Sequence, residues 1–247
     1  MLLNHGLNPN NDVINTGIIG ARKEDIEKLD FFGKFKELFM KFYIISPPGY
    51  NENFSAENFD KVTDLISVEY FQFRPKFSKL LERKKFIKKF YNPFSKICKN
   101  KNIKLIINND FEIATDFFFD GIHLGQNDKS CSDAKEKFGR DFIVGISCSN
   151  SYYLYRVAKK DRADYIAFGP TFKSKTKEKE TISLLQFNKF KAKIRLPYVF
   201  IGGINHSNIK KLIKFKPNNI AIIDSLWNFK QGPVQSALKF KENLEVS

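Results

Sequence analysis

The 247-residue sequence has no apolar run of the ~18 residues that a membrane-spanning helix needs. Cysteine is scarce: Cys98, Cys131 and Cys148 stand far apart and form no CxxC pair. That spacing excludes a disulfide framework and a paired-thiol zinc site, and it predicts reduced thiols in a cytoplasmic protein. The opening residues Met1-Leu2-Leu3-Asn4-His5 carry neither a cationic start nor an apolar stretch, so no secretory signal is expected. Acidic residues are also in deficit, 27 against 42 Lys+Arg, which leaves a net charge of +15. A basic excess raises nucleic acid as a partner. The lysines are nevertheless spread along the whole chain, and the local clusters Arg83-Lys84-Lys85 and Lys88-Lys89 fall inside a helical pattern. No nucleic-acid motif accompanies them. Neither nucleic acid nor membrane is expected as a partner, whereas an attraction for anionic small molecules is. No feature of the sequence bears on oligomeric state.

Short β-prone runs are present in number, with helical patterns between them. Strands are predicted at Phe42–Ile45, Val68–Phe73, Ile103–Ile107, Gly121–Leu124, Phe142–Ile146, Tyr165–Phe168, Tyr198–Ile201 and Asn219–Ile223. Most are continuously apolar, as strands covered on both faces of a parallel sheet are. Ser55 is placed to cap a helix running to Ser67, and Ser78-Lys79-Leu80-Leu81 to start a long basic amphipathic one. Further helices are expected from Ile209 to Phe215 and from Val234 to Leu244. Eight strands alternating with helices predict a (β/α)8 TIM barrel over residues 41–247, with a doubly wound open sheet as the alternative. Residues 1–40 fall outside the repeat and form an N-terminal extension. Gly6 to Gly20 reads as an arm, and Ile26, Leu29, Phe32, Phe35 and Leu38 give an apolar stripe on a helix-compatible segment.

In such a barrel the chemistry sits at the C-terminal strand ends. After strand two, alternation points Gln72, Arg74 and Lys76 to one side, placing a guanidinium and an ammonium as a diphosphate clamp. Strand three ends in Asn108-Asn109-Asp110, and strand four leads into His123-Leu124-Gly125-Gln126-Asn127-Asp128. Oxygen ligands from these adjacent ends suit Mg2+, with Asp128 the better ligand. Asp120 precedes its strand and reads as a cap or turn residue. His123, inside an apolar strand, reads as a satisfied core histidine. Ser147 after strand five either binds a phosphate oxygen or caps the next helix. Cys148 as a nucleophile would need His206 as its base, a pairing that nothing in the pattern supports. Strand six ends in Gly169-Pro170-Thr171-Phe172-Lys173-Ser174-Lys175-Thr176-Lys177, and strand seven in Gly202-Gly203. Hydroxyls, ammonium groups and bare backbone amides at neighbouring ends predict phosphorylated small-molecule substrates.

Taken in order, Gln72-Phe73-Arg74-Pro75-Lys76, Ile107-Asn108-Asn109, Asp120 through Asp128, Gly145-Ile146-Ser147, Ala163 through Pro170 and Ile201-Gly202-Gly203-Ile204 resemble the thiamine phosphate synthase family over about residues 41–243. The resemblance implies a (β/α)8 transferase that joins hydroxymethylpyrimidine diphosphate to thiazole phosphate, with Mg2+ as cofactor and diphosphate released in a dissociative step. It assigns Gln72, Arg74, Lys76 and Asn108 to the pyrimidine diphosphate site, and Ser147 and Lys177 to the diphosphate. It places Ser174, Thr176 and Gly203 around the thiazole phosphate, with Asp224 and Ser225 at the corresponding end of strand eight. Asp128 and Asn109 take the metal positions.

Three residues depart from that family's pattern, Ser174 only mildly, standing where threonine is common. Asn109 stands where the family usually has aspartate, an amide in place of a charged metal ligand, with Asp110 next to it. Asp224 stands where a small hydroxyl residue is usual, and a carboxylate beside a phosphate is repulsive. These departures keep a second reading open, a catalytically weak or inactive barrel that binds thiamine-type phosphates. A third, a thiazole tautomerase-like isomerase, would need a histidine shortly after strand five, where this chain has Ser149.

Overall fold

The computed structural model describes residues 40–173, 181 and 183–245. The extension predicted for residues 1–40 lies outside the described residues apart from Met40, as do the site residues Ser174, Thr176 and Lys177.

Eight parallel strands close into a barrel in chain order: β1 Lys41–Ile45, β2 Val68–Phe73, β3 Lys104–Asn108, β4 Gly121–Leu124, β5 Ile143–Ser149, β6 Tyr165–Phe168, β7 Tyr198–Ile201 and β8 Asn219–Ile222. The closing pair is β1 with β8, in register from Lys41↔Asn219 to Ile44↔Ile222. That pairing rules out the open sheet. Side chains alternate between two layers, as the two-residue strand period requires. Phe42 and Ile44, Phe71 and Phe73, Ile122 and Leu124, Ile166 and Phe168, and Ile220 and Ile222 all join the large outer core under the helices. Tyr43, Ile45, Tyr165, Ala167, Val199 and Ala221 form a separate cluster inside the barrel.

The described helices are α1 Ala56–Leu65, α2 Leu80–Asn100, α3 Phe111–Asp116, α4 Cys131–Phe138, α5 Tyr152–Lys160, α6 Leu184–Lys191, α7 Lys210–Ile213, α8 Asp224–Trp227 and α9 Gly232–Glu245. Ser55 caps α1 by accepting from the Asn58 amide, as predicted. Ser78 does not cap α2, which starts one residue later behind Lys79 without a side-chain cap. The helix expected from Ile209 to Phe215 is a single turn, because Pro217 and the left-handed Lys216 (φ 53°) stop its extension. The chain's abundant phenylalanine fills the outer core. Phe54 packs on Phe94 (ring centroids 4.6 Å apart), and Phe59 on Phe71 at the same separation. Each such buried ring contributes about 2–3 kcal/mol through area removed from water. Trp227 of α8 lies edge-on to Phe54 and donates its indole N–H to Ile45 O at 2.8 Å, tying the end of the barrel to its first strand.

Candidate active site

The rim is assembled by bonds between successive loops. Ser46, directly after β1, accepts the Arg74 amide on its Oγ at 2.8 Å, and the Lys76 amide donates to Pro48 O at 2.8 Å. Those two bonds bend the chain after β2 over the barrel mouth. Gln72 is only 2 % exposed and points inward, Arg74 is half-buried, and Lys76 reaches solvent. Burial lowers the Arg74 guanidinium from its usual range, and no carboxylate pairs with it among the described residues. A half-buried cation without a counter-ion is held at a cost that an arriving anion relieves.

The predicted metal residues do meet. Asn109 takes a left-handed conformation (φ 46°), which asparagine tolerates better than most residues. Its Nδ2 donates to Asp128 Oδ1 at 3.1 Å, while Asn108 Nδ2 donates to Asn109 Oδ1. The second Asp128 oxygen accepts the Gly125 amide at 2.6 Å. The adjacent acid, Asp110, gives no compensation for the missing aspartate. Its carboxylate caps α3 through the Ile113 amide (3.2 Å) and pairs with Arg83 at 2.7 Å. Lys76, Arg83, Asn109, Asp110 and Lys129 line a cavity of about 440 Å3 beside this cluster.

A polar thread crosses the barrel interior. Gln72 Nε2 donates to the Tyr43 hydroxyl at 2.7 Å, which meets the Tyr165 hydroxyl at 2.8 Å. Tyr165 meets His123 Nδ1 at 3.1 Å, and His123 Nε2 meets Ser147 Oγ at 2.9 Å. Gly145 makes the thread feasible: a Cβ there would stand 2.0 Å from the Tyr165 ring. Burial pushes His123 down to about 4, Arg74 acts in the same direction, and burial raises both tyrosines. All members are therefore neutral near pH 7. Ser147 does not cap the following helix; Ser151 does, accepting the Leu154 amide. β5 also runs past its predicted end to a left-handed Ser149 (φ 49°), and an irregularity there turns Ser147 inward and Cys148 into the outer core.

Gly203 (φ +66°) brings the ends of β6 and β7 together; a Cβ on it would lie 2.5 Å from Phe172 O and 2.7 Å from Lys173 O. At β8, Asp224 is exposed, and its Oδ1 accepts from Asn228 Nδ2 at 2.6 Å. The carboxylate is thus engaged along its own short helix. Ser225 Oγ is buried and has no hydrogen-bond partner among the described residues. Neither residue bonds to another predicted site residue among the described residues. Cys148 is buried, with its thiol pushed up to about 12 by desolvation, and His206 is bonded to Ser236 Oγ at 2.9 Å. Those surroundings are wrong for a thiolate nucleophile. Asp120 accepts the Leu105 amide at 2.7 Å and is an anchor between strands. Sequence patterning did not single out Tyr43 and Tyr165, whose signal was inward alternation with a polar tip, whereas His123 is the buried, satisfied histidine expected, with both ring nitrogens bonded.

A closed eight-stranded barrel with a half-buried arginine that no carboxylate pairs among the described residues, an asparagine–aspartate cluster and glycine-shaped loops at one rim defines an α/β-barrel enzyme of phosphorylated small molecules. The chain belongs to the thiamine monophosphate synthase family, whose sequence profile matches residues 42–226. It is 36% identical over 205 residues to the thiamine-phosphate synthase of Pelagibacter ubique, covering 81% of this chain and 95% of that protein. It is 31% identical to the Lactococcus lactis subsp. lactis thiamine-phosphate synthase, covering 85% and 99%. The solved thiamine phosphate pyrophosphorylase of Pyrococcus furiosus shares the fold with a TM-score of 0.69 at 22% identity, over 84% of this chain and 96% of that one. Among the described residues no helix is long and apolar enough to cross a membrane.

Proposed function

We propose that the protein condenses hydroxymethylpyrimidine diphosphate with thiazole phosphate, giving thiamine phosphate and diphosphate. The bond from the pyrimidine methylene carbon to the diphosphate oxygen breaks, and the diphosphate leaves with the electron pair. The thiazole nitrogen then supplies its lone pair to that carbon. Catalysis of such a step rests on holding the partners in line and neutralising the departing anion. Arg74 carries the proposal: its guanidinium is half-buried, lacks a carboxylate partner among the described residues, and offers the planar fork that phosphate oxygens match. Lys76 adds a second cation at the same strand end, with Lys177 assigned to the same anion. Gln72 and Asn108 orient the pyrimidine half, and Ser147 Oγ is a further donor to the diphosphate. Ser174, Thr176 and the backbone at Gly203 receive the thiazole phosphate, with Ser225 Oγ as a further donor at β8 in place of Asp224.

The residues present fit Mg2+ when substrate shares the coordination. Asp128 supplies one carboxylate and Asn109 one amide oxygen, and no group of three or more His, Cys, Asp or Glu among the described residues forms a complete cage. Bound there, Mg2+ would supply positive charge to the diphosphate. Reduced, buried Cys98, Cys131 and Cys148 support a cytoplasmic setting.

The test is direct: purified protein is given both substrates across a range of Mg2+, and thiamine phosphate and diphosphate are quantified. Stoichiometric formation of both products is expected, and Arg74→Ala and Lys177→Ala each remove most of it. No product at any Mg2+ concentration, with both substrates still bound in calorimetry, would leave the binding-protein reading instead.

A further inference from the structure

The thread Gln72–Tyr43–Tyr165–His123–Ser147 joins Gln72 of the pyrimidine site to Ser147, assigned to the diphosphate, and every intermediate member is at most 9 % exposed. Each of its hydroxyls has a single proton, so when every proton is spent within the thread its bonds run in one of two directions. With Gln72 Nε2 donating to Tyr43, that order has Tyr43 donating to Tyr165, and Tyr165 to His123 Nδ1. An imidazole that accepts on Nδ1 carries its proton on Nε2 and donates it to Ser147 Oγ. Ser147 is left with its own hydroxyl proton to give away, and Gln72 with a carbonyl oxygen that no described residue occupies. The reverse order, with Gln72 turned over, would spend the Ser147 proton on His123 Nε2, leaving Ser147 an acceptor and Gln72 a donor toward substrate.

We infer that Tyr43, Tyr165 and His123 are positioning residues that set the hydrogen-bond polarity of the substrate site, Ser147 as donor to the diphosphate and Gln72 as acceptor toward the ring, so that it selects a pyrimidine bearing an amino group. This rests on the proposed substrate, whose pyrimidine has that pattern. A 4-oxo analogue presents an acceptor where the amino group would donate. It meets Gln72 oxygen to oxygen and leaves two buried groups unpaired, which is the kind of mismatch that polar sites reject most strongly. The inward tyrosines act at a distance: neither needs to touch the substrate for its loss to let the thread run both ways.

The direction of the thread is readable without turnover. Histidine-labelled protein is expected to show His123 as the Nε2–H tautomer by 15N NMR, and Tyr165→Phe to give a mixture of tautomers. Calorimetry should find wild type binding the aminopyrimidine diphosphate at least about 100-fold more tightly than the oxo analogue. In Tyr165→Phe and Tyr43→Phe that preference falls about tenfold while affinity for thiazole phosphate is unchanged. His123→Gln, which keeps one donor and one acceptor, should retain more of the preference than His123→Phe. An Nδ1–H tautomer in wild type, or an unchanged preference in folded tyrosine variants with lowered thermal stability only, overturns the inference. Absence of condensation with the tautomer and binding preference intact would count against the proposed reaction alone, so the two failures are separable.

Discussion

Asn109 donates its side-chain amide to Asp128 Oδ1 at 3.1 Å, so the two residues at the metal positions are bonded to each other directly. The same pair in aspartate–aspartate form would repel, and a cation between them would be the relief. Here the neutral amide already satisfies one oxygen of Asp128, while Gly125 satisfies the other. Cation binding must therefore compete with an existing bond and gains only one formal charge.

Asn109→Asp should raise affinity for Mg2+ by at least about tenfold while destabilising the metal-free protein by about 1 kcal/mol through carboxylate repulsion. The Mg2+ concentration giving half-maximal turnover and melting curves with and without Mg2+ would be compared between variant and wild type. An unchanged Mg2+ requirement would refute this account of the metal site.

Arg74→Ala should cut kcat/KM by about 10²- to 10³-fold, and Arg74→Lys should recover only part of it because a point ammonium cannot make the two parallel bonds. Thermal stability is expected to stay level or rise in both, since an uncompensated half-buried charge is removed or reshaped. A large fall in melting temperature that accounts for the lost activity would assign Arg74 a packing role.

His123 gives the protein a pH signature. Its folded pKa, about 4, lies below the ordinary 6.5, chiefly because burial disfavours the imidazolium. On acidification the unfolded chain takes up this proton first. The residue's contribution is therefore complete above pH 6.5 and is lost as pH falls from 6.5 towards 4, at up to about 1.4 kcal/mol per pH unit. Urea unfolding between pH 4.5 and 7 should show a steeper decline for wild type than for His123→Gln. Parallel curves would mean that His123 is not buried as a neutral base.

Gly203→Ala should destabilise the protein by about 1–2 kcal/mol, because the residue sits at φ +66° and its new methyl meets Phe172 O. The strain falls where the loops after β6 and β7 touch, so KM for thiazole phosphate should rise more than KM for the pyrimidine diphosphate. Equal increases in both would separate Gly203 from the phosphate pocket.

Much of the scaffold was legible beforehand because parallel barrel strands are short, apolar and punctuated. Val68–Phe73, Gly121–Leu124, Tyr165–Phe168 and Tyr198–Ile201 match their predicted bounds. β5 was drawn too short because Ser147, Cys148 and Ser149 look like loop, yet the bulge after Ser147 lets pairing with β6 continue. Arg74 was legible as a strand-end cation, but its want of a carboxylate partner among the described residues was not. The fate of Asp110 was hidden as well: its partner Arg83 lies 27 residues earlier on α2, and only the packed helix brings the guanidinium to it.

Local chemistry in the sequence, namely β-prone runs, serine caps and glycines at strand ends, was enough to determine a repeated βα architecture with polar residues at one rim. Pairing between distant residues was decided by tertiary structure alone. Tyr43 and Tyr165 are 122 positions apart, and their hydroxyls meet only because the barrel closes and Gly145 leaves room for the ring. A lone histidine within an apolar strand is ambiguous as sequence. Once folded, burial keeps it neutral, and its two ring nitrogens must divide one proton between a tyrosine and a serine. Periodicity is a property of neighbours along the chain, whereas that division depends on which groups desolvation leaves within reach of one another.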